Sequence, residues 1–587
     1  MVQTVQSTEE RAALMETALG RRPADTVFQD ARLLNVYSGE IMSDWWLAVK
    51  GERFAYAGPP LEGLVGDETR VVKLEGGFIL PGFIDAHTHL DDKCRVEAFT
   101  EYALAFGNTT AVSETAMITN AMGATGARSF LEQTSRVPMR IFVLAPPLVP
   151  PWPGLETSRP FSFSEFMEIL SSDRCLGVGE TYWNRLLAMD RRAVEAYSAA
   201  EAMGKTKEGH SAGAKGARLA AFAAGGTTSC HESISLEEAL ERLRLGLAVQ
   251  IREGYVRREL KELSGLARSG VDLSGVMLVT DSSDPGELVE KGGMNLLLAR
   301  AVELGFDPIR AVQMVTINPA RYFGLRDLGG LGPGKLADLV VVDDLQDFRC
   351  RQVWVGGRQV AQDGRVIVEI PPYRFPEEVY RSITIQPLRA SDFRFKHNGA
   401  GEVQVRAVDV TGEIITRELI STLSPVDGRL EADPSSDLLK AAVVNKDRPE
   451  QAPSLGFVKG FGLKRGAAAS SMLWDANNLL IVGTDDEEMA AAVNRLIEIG
   501  GGMVAVSGGA PVAEVPFPIC GIISSQPLPE VMEEMRNLEK ALWEMGCSLT
   551  RPILVLQTFC FTGLPFIRLT DRALVDIKRG DKVPVLV

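Results

Sequence analysis

The sequence predicts an α/β protein centred on a (β/α)8, TIM-like barrel, on three observations. Strand-like apolar runs alternate with helical stretches through residues 78–330, close to the ~250 residues such a barrel needs. Short strand-like segments flank that stretch on both sides. A His-x-His pair, His87 and His89, follows the apolar run 80–86, where a barrel strand would deliver side chains to its C-terminal mouth.

Residues 1–24 are expected to open the chain as a helix, because Glu9-Glu10-Arg11-Ala12-Ala13-Leu14-Met15 contains no breaker. Residues 25–77 change to short strands and turns, and 331–372 return to the same pattern. Leu339-Val340-Val341-Val342 is an apolar run, and Val353-Trp354-Val355-Gly356-Gly357-Arg358 reads as a hairpin. The two patches are expected to pack as one small β-sandwich domain, split by the barrel at 78–330. Inside the barrel, 109–112, 141–144, 177–179 and 276–279 read as strands. A helix is expected from Ser235, with Glu238 completing a capping box and Leu236, Leu240 and Leu243 on one face. Residues 375–587 read as a separate α+β domain. There Thr484 is expected to cap a helix carrying Met489, Val493 and Leu496, and a second helix carries Val531, Met535, Leu538 and Leu542 up to Gly546.

Composition narrows the function. The chain has 587 residues, 45% hydrophobic and 24% charged, as expected of a globular protein of several domains. A net charge of −15 argues against nucleic acid or an anionic membrane as partner. No apolar run approaches the ~20 residues that span a bilayer, and residues 1–20 lack a signal-peptide core. Seven scattered cysteines without a CxxC predict a reduced, cytoplasmic protein. A small molecule is the expected partner, and self-association into a homo-oligomer is left open.

Residue types then point to a metal centre. Residues two apart on a strand project the same way, so His87 and His89 can share one ion. His210 and His231 follow as single histidines, and neutral imidazole is the commonest protein metal ligand. Glu180 ends a strand-like run and is placed to bridge two cations. Asp281 is the expected last ligand and a proton acceptor. A cation there would generate hydroxide near neutral pH, which makes a hydrolase the expected class. Singly, each residue has a plainer reading. A lone histidine is usually a satisfied polar group, Glu180 reads equally as a loop carboxylate, and Asp281 before Ser282-Ser283 reads as an Asx-turn. The joint placement near strand ends is what carries the assignment. His397 lies outside the barrel and is read as a surface residue.

At these residues the chain resembles a known family. Pro81-Gly82-Phe83-Ile84-Asp85-Ala86-His87-Thr88-His89 is similar to the entry motif of the amidohydrolase superfamily. Gly209-His210-Ser211-Ala212-Gly213 and Cys230-His231-Glu232 resemble stretches of the adenine deaminases within it. So do Leu243-Arg244-Leu245-Gly246, Ile251-Arg252-Glu253-Gly254, Asn318-Pro319-Ala320 and Gly456-Phe457-Val458-Lys459-Gly460-Phe461-Gly462. The resemblance implies one or two divalent ions, manganese, iron or zinc, held by His87, His89, Glu180, His210, His231 and Asp281. It implies hydrolysis of adenine to hypoxanthine and ammonia by metal-hydroxide attack on a C–N bond. Asp281 and Glu232 are the expected catalytic groups, Glu232 acting on a ring nitrogen.

The departures bear on the substrate. The family's D-P-H-E is Glu114-Thr115-Ala116-Met117 here, and its T-D-D-R is Thr280-Asp281-Ser282-Ser283. Its G-H-I-N is Gly292-Gly293-Met294-Asn295, and its A-H-D-S-H-N is Leu473-Trp474-Asp475-Ala476-Asn477-Asn478. Ligands are kept while other polar positions become small or apolar. Asp91, Glu114, Met117, Ser282 and Trp474 are therefore candidate substrate-pocket residues. A different, less polar heterocycle or a cyclic or aryl amide is the alternative substrate, and a catalytically inactive binding protein is the minor alternative.

Overall fold

The computed structural model describes residues 6–74, 76–399 and 401–587. Its centre is an eight-stranded parallel sheet paired in chain order: β1 (Phe83–His89), β2 (Asn108–Glu114), β3 (Arg140–Ala145), β4 (Cys175–Tyr182), β5 (Thr206–His210), β6 (Ser229–Cys230), β7 (Ala248–Arg252) and β8 (Val276–Val279). The ends meet just beyond β8. Asp281 N donates to His87 O at 3.0 Å, and Thr280 gives its N–H and hydroxyl to Asp85 at 3.2 and 2.6 Å. The sheet is thus a nearly closed barrel, as the fold class predicted.

The strands are apolar on both faces because both faces are covered. Phe142 and Leu144 of β3 share one buried cluster with Met277 and Val279 of β8. Their neighbours Ile141, Val143, Val276 and Leu278 belong to another, which also holds the helix residues Phe130, Phe166 and Ile169. That alternation is the period-two signature of strands.

Two caps differ from expectation. Ser235 does cap the helix Leu236–Arg244, accepting the Glu238 N–H at 3.4 Å. The reciprocal half of the box is missing, because the Glu238 carboxylate accepts from Ile234 N, one residue earlier. Asp485, not Thr484, caps the helix Asp486–Glu498. A carboxylate at the N-cap also meets the positive end of the helix dipole, while the Thr484 hydroxyl donates to Gly466 O. The N-terminal helix runs Thr8–Ala18 under a Ser7–Glu10 capping box, and residues 1–5 of that expectation lie outside the described residues.

Two outer sheets lie beside the barrel, the first from its N-terminal flank alone and the second from both flanks. One has strands Arg53–Gly58, Trp46–Lys50, Thr26–Gln29 and Arg70–Lys73. In the other, Leu339–Val342 pairs antiparallel with both Cys350–Val355 and Phe78–Pro81. Phe28, Leu47, Phe54, Ile79, Val341 and Trp354 form one core between them.

Beyond residue 400 an eight-stranded mixed sheet carries the helix Asp486–Glu498 on one face. This region is fastened to the barrel mouth. Ile523–Ser524 pairs parallel with Lys93–Cys94. Asn478 Nδ2 donates to Thr157 O at 3.0 Å, and Asn445 Nδ2 donates to Thr157 Oγ1 at 2.6 Å and Asp571 Oδ2 at 3.0 Å. The loop 473–478 is thereby held over the C-terminal ends of the barrel strands. Among the described residues, no helix is long and apolar enough to cross a membrane.

Candidate metal centre

Every expected ligand reaches the same end of the barrel. His89 ends β1 with His87 two residues before it, Glu180 is two residues from the end of β4, and His210 ends β5. His231 follows β6 directly, and Asp281 lies two residues past β8. The six side chains form two groups that share Glu180. His87, His89, Glu180 and Asp281 place ligand atoms within 4.8 Å of one another, as do Glu180, His210 and His231.

Glu180 Oε1 lies 3.2 Å from His87 Nε2 and 3.1 Å from His231 Nε2, while Oε2 lies 3.5 Å from His210 Nδ1. Asp281 Oδ1 lies 3.2 Å from His87 Nε2 and 3.7 Å from His89 Nε2. His87 Nε2 and His210 Nδ1, which face Glu180, are buried without a hydrogen-bond partner. An unmet buried polar atom costs about 1–3 kcal/mol. Several at one point are tolerable where a cation completes them.

A buried arginine ties the carboxylates together. Arg252, last in β7, donates to Glu232 Oε1 and, at 3.3 Å, to Asp281 Oδ2. Glu259 grips its other side at 2.9 and 2.8 Å. Burial alone would raise the Glu232 carboxyl, but Arg252 with His210 and His231 holds it well below the usual carboxylate range. Asp281 is lowered too, since its His87 contact and Arg252 outweigh burial. Glu232 Oε1 also lies 3.2 Å from His231 Nε2 and 3.8 Å from His210 Nδ1.

The pocket candidates separate. Asp91 and Glu114 stand behind the histidines: Asp91 Oδ1 is 3.8 Å from His89 Nδ1, and Glu114 Oε1 is 3.9 Å from His87 Nδ1. Both oxygens stand just beyond hydrogen-bond distance of the far ring nitrogens, where a carboxylate favours one ring orientation electrostatically. Met117 is buried in the main core, and its carbonyl accepts from Asn477 Nδ2 at 2.9 Å. Ser282 Oγ accepts from the buried Lys93 at 2.8 Å. Trp474 lies over His89, ring centroids 6.3 Å apart and planes 14° from parallel.

Sequence reasoning assigned no role to Arg252, Tyr182, Asp475 or Phe561. Tyr182 O–H donates to Asp475, and the Tyr182 ring meets His210 edge-on at 5.0 Å. Phe561 stands 6.0 Å from His210 and 5.4 Å from Trp474. One signal was available: Asp475 is a kept residue in the altered stretch 473–478.

The comparisons agree with this geometry. The model of the amidohydrolase family matches residues 78–175 and 190–360, and that of the adenine deaminase C-terminal domain matches residues 413–581. The chain is 37% identical over 572 residues to an adenine deaminase of Moorella thermoacetica, covering 96% of each. It is 34% identical over 582 residues to one of Clostridium botulinum, covering 98% of this chain and 97% of the relative. A barrel of this kind with a His/Asp/Glu metal-binding cluster at its C-terminal mouth defines an amidohydrolase, a hydrolase of C–N bonds other than peptide bonds. Within that class, the chain belongs to the adenine deaminase family.

Proposed function

We propose that this enzyme hydrolyses the exocyclic C–N bond of an aminopurine, with adenine to hypoxanthine plus ammonia as the reference reaction. The observation that carries it is the shared Glu180: one carboxylate stands between His87 and His89 on one side and His210 and His231 on the other. Full-length identity to relatives named adenine deaminase supports the substrate.

His87, His89, Glu180 and Asp281 would hold one divalent ion, and Glu180, His210 and His231 a second. Manganese, iron or zinc fits. When bound, such ions bring the pKa of a water to ~7 and polarise an electrophile. The remaining steps belong to the chain. Asp281 Oδ1 takes the proton of the water that adds to the amine-bearing ring carbon. The same oxygen returns it to the exocyclic nitrogen, so the C–N bond breaks and ammonia leaves. Arg252 fixes Asp281 Oδ2, which turns Oδ1 towards His87 and the centre, where it can accept the proton. Glu232, held ionised beside Arg252, accepts a ring N–H and orients the heterocycle. A reduced, cytoplasmic setting accords with seven free cysteines, six of them buried.

The test is ammonia and hypoxanthine release from adenine by enzyme loaded in turn with each metal. Absence of turnover with every metal, in protein holding two ions per chain, would refute the reading.

A further inference from the structure

The aromatic groups that the reaction scheme leaves unused converge on one side of the centre. Trp474 lies nearly parallel to the His89 ring at 6.3 Å, and Phe561 meets Trp474 edge-on at 5.4 Å. Phe561 also meets Tyr182 at 6.2 Å and His210 at 6.0 Å. The rings therefore span from one metal group to the other. Trp474 and Phe561 come from the C-terminal region, and Tyr182 comes from β4. Among them stands one carboxylate, Asp475, buried and in a left-handed backbone conformation at φ 67°. Tyr182 donates to its Oδ2.

We propose that the loop 473–478, with Phe561, is the specificity wall of the substrate site. Asp475 is its polar anchor, and Trp474 is its selector for a planar aromatic amine that carries an apolar substituent. This rests on the aminopurine reading above and refines its substrate class. A π-face stacks on any flat heterocycle. A tryptophan offers no acceptor to a polar edge of the ring. A site without a matching partner discriminates against a polar edge, because that group would be left unmet. An alkyl group there buries apolar surface against the rings instead.

The test uses full-length, metal-loaded protein and the pair adenine and 8-methyladenine. In Trp474→His, kcat/KM for adenine relative to 8-methyladenine is expected to rise about tenfold or more, the scale of one methyl group in a fitted apolar pocket. A ratio unchanged within about twofold overturns the selector. A second readout needs no turnover: hypoxanthine titration should quench tryptophan fluorescence in the wild type but not in Trp474→Phe. Equal quenching in both overturns the contact. For the anchor, Asp475→Asn should weaken hypoxanthine binding about tenfold at unchanged metal content and unfolding temperature. Tyr182→Phe should give a smaller loss. Hypoxanthine binding unchanged within about twofold in Asp475→Asn, or weakened only together with loss of metal or of stability, would overturn the anchor. No turnover of either purine, with quenching intact, would refute the aminopurine reaction and leave the wall in place.

Discussion

Glu114 Oε1 accepts the backbone N–H of Glu180 at 3.0 Å. The last residue of β2 thus holds the peptide that carries the shared ligand of β4, and the same carboxylate faces His87 Nδ1 at 3.9 Å. A side chain at Gly179 has no room: an added Cβ would meet Glu114 Oε2 at 2.2 Å. We expect Glu114→Ala to weaken metal binding by 10–100-fold, the usual scale for an orienting partner. Glu114→Gln keeps the acceptor and should retain most of the metal. Gly179→Ala should behave like Glu114→Ala, by displacing the carboxylate. Chelator competition followed by elemental analysis decides it. Wild-type affinity in both Glu114→Ala and Gly179→Ala would sink the positioning role.

His87→Ala combined with His89→Ala removes both β1 donors. Activity should disappear and bound metal should fall. The far-ultraviolet dichroism should persist, since Ile84 and Ala86 keep this strand packed in the barrel. Full activity in the double variant would disprove the ligand assignment.

Glu232→Gln removes the charge that Arg252 and His231 gather around while keeping the shape. We expect kcat to fall by about 10²–10⁴, the span typical of acid–base and orienting groups, with metal content near normal. Arg252 would keep Glu259 and Asp281, so Asp281 stays placed. A variant with wild-type kcat would take Glu232 out of the reaction.

The ligand set was legible because its chemistry is local. A histidine at the end of an apolar run is recognisable in one dimension, and a barrel brings five such strand ends, with their six side chains, into one site. Glu180 and Asp281 were found for the same reason, each lying at or just after a strand. Arg252 was visible as a residue but not as a role, because its partners Glu232, Glu259 and Asp281 come from three separate segments. The pocket list mixed depths: Asp91 and Glu114 back the histidines and Met117 packs in the core, while Trp474 faces His89. Periodicity says which face of an element is covered, not what covers it. Asp475 and Phe561 reach the centre only through long-range fastening such as Asn478 to Thr157, which no spacing announces. The cap at Asp485 was missed by one residue, the ordinary ambiguity where two capping residues adjoin.

Lys446 gives a pH test remote from the metal ligands. It is buried next to Asp447, but Arg159 already occupies that carboxylate, at 2.7 Å to Oδ1 and 3.1 Å to Oδ2. Burial, with Arg159 adding to it and Asp447 opposing, pulls the Lys446 ammonium down from 10.5 to about 8. Below pH 8 both the folded and unfolded chains hold the proton, so folding carries the whole cost of burying the charge. Between about 8 and 10.5 the unfolded chain binds a proton that the folded chain has released. Stability from this group therefore rises with pH across that window. Lys446→Met removes the charge and keeps the length. We expect the variant to be more stable than wild type at pH 7 by roughly 1–3 kcal/mol, from about 1.4 kcal/mol per pKa unit, discounted for relaxation. The difference should shrink towards zero by pH 10.5. Urea unfolding of both proteins at saturating metal, at pH 7 and at pH 10, reads it directly. A gap that stays constant over that range would show that Lys446 is not held against its charged form.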